Sequence, residues 1–119
     1  MLKKMALLTL MVIGTLSSAK TVGKASWYGK REQGKLTASG TRFDRNAYTC
    51  ASRTYPMGTW LIVRFHRRRV LVKVTDRGPW VEGRILDLSE RAAKDLGLRP
   101  YGVATVEIRT LNEVMEESK

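Results

Sequence analysis

Two apolar, β-branched runs separated by four polar residues constrain the fold of this chain more than any other feature. The runs are residues 59–65 (TWLIVRF) and 70–75 (VLVKVT), and residues 66–69 (HRRR) connect them. Such runs are typical of strands, and so short a connection predicts an antiparallel hairpin with a basic tip. The charge run at the tip has two interpretations, a solvated turn or a contact with an anionic polymer or with phospholipid headgroups.

The rest of the chain adds two strands and one helix to this hairpin. Residues 22–28 and 103–110 alternate apolar and polar side chains, as half-buried strands do. A short helix is predicted at about residues 89–97, with Ser89 as N-cap, Glu90 in the first turn and Gly97 at its end. The last residues, 111–119, form either a frayed helical turn or a disordered tail. This mainly β pattern favours a small closed barrel, since closure removes exposed strand edges.

The first 19 residues have the pattern of a secretory signal peptide. Two lysines precede an apolar stretch over residues 5–16, and Ser17 and Ala19 occupy the −3 and −1 positions of the expected cleavage site. A membrane span needs roughly 20 apolar residues, which this stretch does not reach. The alternative is a buried N-terminal helix or a retained anchor. Because Lys20 stands where a lipid-attached cysteine would follow the cleavage site, we expect an exported protein without a lipid anchor, in the periplasm or the extracellular wall.

Charge and cysteine content limit the classes of partner. The chain has 22 basic and 11 acidic residues, and loss of the two leader lysines leaves 20 against 11, a net charge of +9. Such a charge attracts polyanions, but export and the lack of an interleaved aromatic motif argue against nucleic acid. Cys50 is the only cysteine and His66 the only histidine, so neither an intramolecular disulfide nor a Cys/His metal site is expected. We predict a monomer of one domain, residues 20–110, without metal or cofactor.

Four segments in a fixed order carry a family resemblance. They are residues 25–29 (ASWYG), 37–44 (TASGTRFD), 54–63 (TYPMGTWLIV) and 74–79 (VTDRGP) followed by 83–97 (GRILDLSERAAKDLG). Together they resemble the double-psi β-barrel domain of the rare lipoprotein A family, the septal lytic transglycosylases of bacterial cell walls. The resemblance implies a six-stranded barrel whose groove holds a peptidoglycan glycan strand. It also implies cleavage between N-acetylmuramic acid and N-acetylglucosamine without water, which leaves a 1,6-anhydro end.

The resemblance assigns the catalytic aspartate of the Asp-Arg-Gly-Pro motif to Asp76. A strand end would fix this carboxylate, and Gly78 and Pro79 would direct the chain away so that a sugar can approach. The alternative is that Asp76 only caps a turn, as Asp before Gly often does. This chain departs from the family pattern at two positions, since Thr41 replaces a glutamate and Ser52 replaces a histidine. One carboxyl group can still suffice, because the muramoyl C6 hydroxyl is an internal nucleophile.

Further polar residues are candidates for the same groove. Asp44 is either a substrate-binding or auxiliary acid or a loop cap. Asp87 is interpreted first as a residue that bonds backbone amides before the helix, and second as a groove residue. Thr41 and Ser52 are expected at the substrate through the family positions that they occupy. Arg77 and Lys73 could attract muramoyl lactyl carboxylates, although lysines on strands are usually only solvated.

The aromatic residues divide into candidate sugar platforms and candidate core. Trp27, Tyr28 and Trp80 can pack against the apolar face of a pyranose ring, and we expect Tyr28 and Trp80 to be exposed. Trp60, within the apolar run TWLIV, is predicted to lie in the core.

Three functions remain open from the sequence. The first is an endolytic peptidoglycan transglycosylase, and the second is a non-catalytic wall-binding module of the expansin type, which Thr41 and Ser52 favour. The third is a protein that binds another wall enzyme or an inhibitor through the groove, for which no residue argues specifically.

Overall fold

The computed structural model describes residues 20–118, in which six strands close into one barrel. The strands are β1 Thr21–Tyr28, β2 Thr49–Ser52, β3 Trp60–Phe65, β4 Arg68–Asp76, β5 Arg84–Ser89 and β6 Ala104–Thr110. The helices are α1 Glu90–Leu96 and α2 Leu111–Glu117, and 3₁₀ turns form at Lys30–Glu32 and Arg99–Tyr101. The predicted signal peptide lies outside the described residues.

Parallel and antiparallel pairs are mixed around the barrel. The strand order is β1-β5-β2-β4-β3-β6, and the ring is closed between β6 and β1. The pairs β1/β5 and β2/β4 are parallel, whereas the other four are antiparallel. This arrangement confirms the predicted six-stranded, mainly β barrel. Within residues 20–118, no helix is long and apolar enough to cross a membrane.

The predicted β3/β4 hairpin is present, with a tighter tip than the sequence indicated. Phe65 pairs with Arg68, so only His66 and Arg67 form the turn, and Arg69 already belongs to β4. His66 has φ 55°, in the left-handed region that two-residue hairpin turns require. The tip therefore projects arginines both from the turn and from the first residues of the strand.

The core is filled by alternate residues of the strands and closed by α1. Leu61, Val63, Val72 and Val74 point inward and are fully buried. Helix α1 covers them with Ala92, Ala93 and Leu96, the packing face predicted for it. Ser89 Oγ accepts a hydrogen bond from Ala92 N at 3.2 Å, and Gly97 ends the helix with φ 80°. The predicted caps of this helix are thus confirmed.

The prediction that Trp60 is a core residue is wrong. Its side chain is 41% exposed, because strand alternation gives the interior positions of β3 to Leu61, Val63 and Phe65. Lys73, its cross-strand partner, places Nζ 6.0 Å from the centre of the Trp60 ring. Hydrophobic composition identified this strand but not which of its two faces is buried.

Two strands went unrecognised in the sequence. Strand β2 has only four residues, and three of them are buried, so it shows no alternation. Strand β5, residues Arg84–Ser89, runs directly into α1, and the sequence analysis assigned only its last residue, Ser89, as the N-cap of that helix. Both matter for function, because they form the floor of the groove described below.

Candidate functional site

A groove crosses β4, β2, β5 and β1 on the outside of the barrel. The pairing register places Asp76 beside Ala51, Ala51 beside Asp87, and Asp87 beside Ser26. The cavity has a volume of about 360 Å³. Ala51 lies between the two aspartates as a small, buried floor residue. Adjacent strands lie about 4.8 Å apart, so the two aspartate backbones are separated by about 10 Å.

Asp76 is the last residue of β4 and presents a fixed carboxylate to this groove. Its Oδ1 accepts hydrogen bonds from the backbone N–H groups of Ala38 and Arg77, each at 2.9 Å. Within residues 20–118, Oδ2 has no hydrogen-bond partner, and no basic side chain lies within 4.0 Å of the carboxylate. Gly78 then takes φ 133°, a conformation that suits only glycine, and turns the chain away.

Asp87 brings a second carboxyl group to the same groove. Its Oδ1 accepts a hydrogen bond from Ser26 Oγ at 2.9 Å. Burial raises the pKa of the Asp87 carboxyl above its ordinary value, although the hydrogen bond from Ser26 acts in the opposite direction. The structure places Asp87 in the groove lining, which is the second of the two interpretations that the sequence left open.

The loop that follows β1 holds the residue that replaces the family glutamate. Thr37, Ser39 and Thr41 form a cluster of hydroxyl groups, in which Ser39 Oγ and Thr41 Oγ1 are 2.9 Å apart. Ser39 N donates to Thr75 O at 3.0 Å, so the loop is docked on the end of β4 beside Asp76. Thr41 itself is exposed and lies outside the groove lining.

Ser52 and Arg77 have structural partners beneath the groove. Ser52 is fully buried, and its Oγ accepts hydrogen bonds from Thr54 N at 3.2 Å and Tyr55 N at 3.0 Å. A side chain with no exposed surface cannot contact a glycan, so the expected substrate contact of Ser52 is not supported. Arg77 Nη1 donates to Ser52 O at 2.8 Å and to Tyr55 O at 2.7 Å. These bonds tie Nη1 of Arg77 to a turn, and the residue also lines the groove.

The aromatic residues of the groove differ from one another in exposure. Trp80 is 76% exposed, as expected for a sugar platform. Tyr28 was predicted to be exposed, but it is half-buried and stacks on Phe43 with ring centres 4.3 Å apart. Its hydroxyl group is buried without a hydrogen-bond partner among the described residues. Burial, reinforced by the negative charge of Asp76, raises the pKa of Tyr28, so the hydroxyl stays protonated. Trp27 lines the groove and donates from Nε1 to Arg99 O at 3.3 Å.

Two sequence candidates lie away from the groove lining. Asp44 is exposed, and its Oδ1 accepts a hydrogen bond from Asn46 N at 3.0 Å, as a loop cap does. Lys73 is exposed on the outer face of β4, next to the Trp60 ring. The sequence offered the loop-cap role for Asp44 and the solvated role for Lys73 as alternatives.

The structure also reveals one groove residue that the sequence analysis passed over. Glu32 lines the groove, and its Oε2 accepts a hydrogen bond from Gly29 N at 3.1 Å.

Cys50 is fully buried, and burial raises the pKa of its thiol, so it is not a reactive group. Within residues 20–118, no group of three or more His, Cys, Asp or Glu side chains is arranged to hold a metal ion. The groove lining thus combines carboxyl, hydroxyl and aromatic groups with the guanidinium groups of Arg77 and Arg84.

Comparison with known proteins places this geometry in a family. Residues 20–108 match the family model described as "Lytic transglycolase". The chain is 50% identical over 91 residues to the "Probable endolytic peptidoglycan transglycosylase RlpA" of Aquifex aeolicus, covering 75% of this chain and 40% of the relative. It is 43% identical over 91 residues to the "Endolytic peptidoglycan transglycosylase RlpA" of Pasteurella multocida, covering 75% of this chain and 31% of the relative. The matched region thus spans less than half the length of either relative.

A solved structure gives an independent likeness. The apo expansin of Clavibacter michiganensis superposes with a TM-score of 0.64 at 27% sequence identity, covering 78% of this chain and 50% of the expansin. The closed, mixed six-stranded barrel, the matched family model and the identity to these relatives agree with the resemblance drawn from the four motifs. This chain belongs to the RlpA-like family of double-psi β-barrel proteins.

Proposed function

We propose that this chain is an exported endolytic peptidoglycan transglycosylase domain, which cleaves MurNAc–GlcNAc bonds and leaves 1,6-anhydro ends. The observation that carries the proposal is the state of Asp76. Two backbone N–H groups orient its carboxylate, and no ion pair with a described residue blocks it in the open groove. The two RlpA relatives are named as endolytic transglycosylases, which supports the reaction class, and the signal-peptide pattern of residues 1–19 supports export.

Asp76 acts first as an acid and then as a base. With the proton on Oδ2, it protonates the glycosidic oxygen as the C1–O bond breaks. The muramoyl C6 hydroxyl then attacks C1 and returns its proton to the same carboxylate, so no water is consumed. Oδ1 keeps its two backbone hydrogen bonds throughout, because both protonation states leave it an acceptor. The carboxyl group is therefore regenerated after each cycle without moving.

The substrate itself compensates for the missing family glutamate at Thr41. In hydrolysis by two carboxyl groups, the second one activates water or attacks the sugar. Here the nucleophile is part of the substrate and is held near the reacting carbon, which removes the need for that role. Asp87 lies on the other side of Ala51, where negative charge would stabilise an oxocarbenium-like transition state. Trp80 offers its exposed face to a sugar ring.

The test is a search for the reaction product. Purified protein is incubated with peptide-stripped glycan strands, and anhydromuramoyl products are measured by mass spectrometry beside an active RlpA relative. We expect product with the unmodified protein and its loss with Asp76→Asn. The control is Asp44→Asn, which makes the same Asp-to-Asn change outside the groove and should still give product. No product at high protein concentration, where the relative is active, would overturn the proposal.

A non-catalytic wall-binding module is the second candidate. Thr41 at the family glutamate position favours it, as does the 27% identity to an expansin over 78% of this chain. This function predicts sedimentation with wall material that Asp76→Asn leaves unchanged, and no product from either protein. Thr41→Glu separates the candidates further, since a large gain of cleavage would show a competent groove that lacks an acid. If Asp76 is essential to cleavage by the unmodified protein, the binding-only function is excluded.

A further inference from the structure

A second pocket lies at the other end of β4, beside the hairpin tip. It is lined by Phe65, His66, Arg67, Arg68, Pro100 and Tyr101 and closed by the C-terminal end of α1, with a volume of about 660 Å³. We call it the tip pocket. The proposed catalytic role makes no use of any of these residues.

The aromatic rings of the tip pocket form an ordered wall. Phe65 contacts His66 edge-on with ring centres 4.1 Å apart, and Tyr101 edge-on with ring centres 5.4 Å apart. Phe65 is almost entirely buried, whereas Tyr101 is 65% exposed. The buried ring thus fixes an exposed one, which offers a flat apolar face at the surface. Such a face is suited to the apolar side of a sugar ring.

The arginines around this wall lack acidic partners. Among residues 20–118, no carboxylate lies within 4.0 Å of the guanidinium groups of Arg64, Arg67, Arg68 or Arg69. Arg64 and Arg69 are direct cross-strand partners, a placement of like charges that destabilises a sheet. Glu107 lies opposite Arg64 on β6, but its carboxylate binds Lys20 at 3.2 Å. Neither Arg64 nor Arg69 lines the tip pocket, so the charges available to a ligand there are those of Arg67 and Arg68.

The combination of groups indicates the chemistry of the ligand. Guanidinium groups bind carboxylates and phosphates in a planar, two-pronged geometry, and an adjacent exposed aromatic ring adds selectivity for a sugar. A lipid headgroup layer is a broad surface without a single ring that could enter a pocket and stack on Tyr101, whereas a saccharide unit offers one. The tip pocket therefore fits an acidic saccharide unit better than it fits a membrane surface.

We propose that the tip pocket is a second glycan-binding site, which takes an acidic sugar of a peptide-free glycan strand, with Tyr101 under the ring and Arg67 and Arg68 at its carboxylate. The choice of this glycan rests on the proposed function, since a peptide-free strand carries a lactyl carboxylate on each muramoyl residue. The site would hold the strand while the groove acts on another part of it.

The position of the tip pocket sets a length requirement on the ligand. Arg68 and Asp76 are the first and last residues of β4, about 25 Å apart along the strand. The Arg99–Tyr101 turn links the two regions, because Trp27 of the groove donates to Arg99 O while Tyr101 lines the tip pocket. A long strand can contact both sites, whereas a disaccharide can fill only one.

The experiment measures binding of long peptide-stripped glycan strands and of a MurNAc–GlcNAc disaccharide to the full chain. We expect Arg67→Ser and Tyr101→Ala each to weaken long-strand binding by roughly fivefold or more. The same variants should leave the turnover of strands at saturating concentration unchanged. Lys35→Ser is the matched control, since it removes one exposed cation far from the tip in sequence and should change binding by less than about twofold. Asp76→Asn should keep the tip-dependent binding.

Several outcomes would overturn the proposal. Long-strand binding unchanged in both tip variants would do so, and so would an equal loss in Lys35→Ser, which would indicate diffuse charge attraction. Vesicles containing an anionic phospholipid form a third arm, and tip-dependent binding to vesicles without tip-dependent binding to glycan would assign the surface to a membrane.

Tip-dependent glycan binding without any cleavage product would leave the tip site standing while the proposed catalytic function fails. Product formation with unaffected binding in the tip variants would show the reverse.

Discussion

The groove and the tip pocket occupy the two ends of β4, and they use their charged side chains in opposite ways. In the groove, Nη1 of Arg77 donates to the carbonyl groups of Ser52 and Tyr55, and no basic side chain of residues 20–118 lies within 4.0 Å of the Asp76 carboxylate. At the tip, Arg67 and Arg68 have no acidic partner among the described residues. The guanidinium that follows Asp76 in the chain thus binds backbone carbonyl groups, and the Asp76 carboxylate lines the groove without an ion pair to a described residue.

The largest effect in this comparison is expected from the groove carboxylate. Asp76→Asn keeps an acceptor for the Ala38 and Arg77 N–H groups but cannot donate and recover a proton. We expect cleavage to fall by about 10²- to 10⁴-fold, the usual contribution of a general acid–base group. Binding of glycan strands should change little. A variant that loses binding and cleavage together would indicate that Asp76 holds the substrate without transferring a proton.

The next largest effect is a difference in stability between variants of two arginines, Arg77 in the groove and Arg67 at the tip. Arg77→Ala leaves the carbonyl groups of Ser52 and Tyr55 without their donor, and we expect a loss of about 1–3 kcal/mol in the free energy of unfolding. Arg67→Ala at the tip should change that free energy by less than about 0.5 kcal/mol, because the side chain has no hydrogen-bond or ion-pair partner in the described part of the chain. Urea unfolding of both variants measures the difference. Equal destabilisation would contradict the division between a structural and a free arginine.

A smaller effect concerns the pH dependence of stability through Asp87. Because the pKa of this carboxyl is raised in the folded state, the native protein binds more protons than the unfolded chain above the ordinary value of 3.8. Its contribution is therefore most favourable at low pH and declines as the pH rises through the folded pKa. Asp87→Asn should remove this decline and keep the hydrogen bond from Ser26.

Thermal unfolding between pH 4 and pH 7 measures this contribution, with Asp44→Asn as the control for an exposed carboxylate. Both proteins also carry other titrating groups, so the quantity of interest is the difference in slope between each variant and the unmodified protein. A slope in Asp87→Asn that equals the slope in Asp44→Asn would contradict the raised pKa of Asp87.

Local pattern predicted the strong elements of the fold and missed those that depend on distant pairing. The β3/β4 hairpin, the strand ending at Asp76 and the capped helix α1 follow from periodicity, turn length and cap residues. Strand β2 has no such signal, since its four residues become a strand only through pairing with β4 and β5. The burial of Trp60 was predicted wrongly because an apolar run does not reveal which strand face is inside.

The site was predictable only in part for the same reason. Asp76 stands out in the sequence, because a strand, a carboxylate and a Gly-Pro pair follow one another. The position of Asp87 depends on its register with Ala51 and Ser26, which no local pattern reveals. The burial of Ser52 and the commitment of Arg77 likewise arise from one turn over residues 52–55. Motif spacing therefore identified the residues of the region better than it identified their roles.

The central claim is that one carboxyl group suffices because the substrate supplies the nucleophile. Cleavage of peptide-stripped glycan strands in ¹⁸O-labelled water tests this claim most directly, with the new chain ends weighed by mass spectrometry. The account predicts 1,6-anhydro ends that contain no ¹⁸O, formed by the unmodified protein and lost in Asp76→Asn. Ends that incorporate ¹⁸O, or product that persists at the same rate without the Asp76 carboxyl, would contradict it.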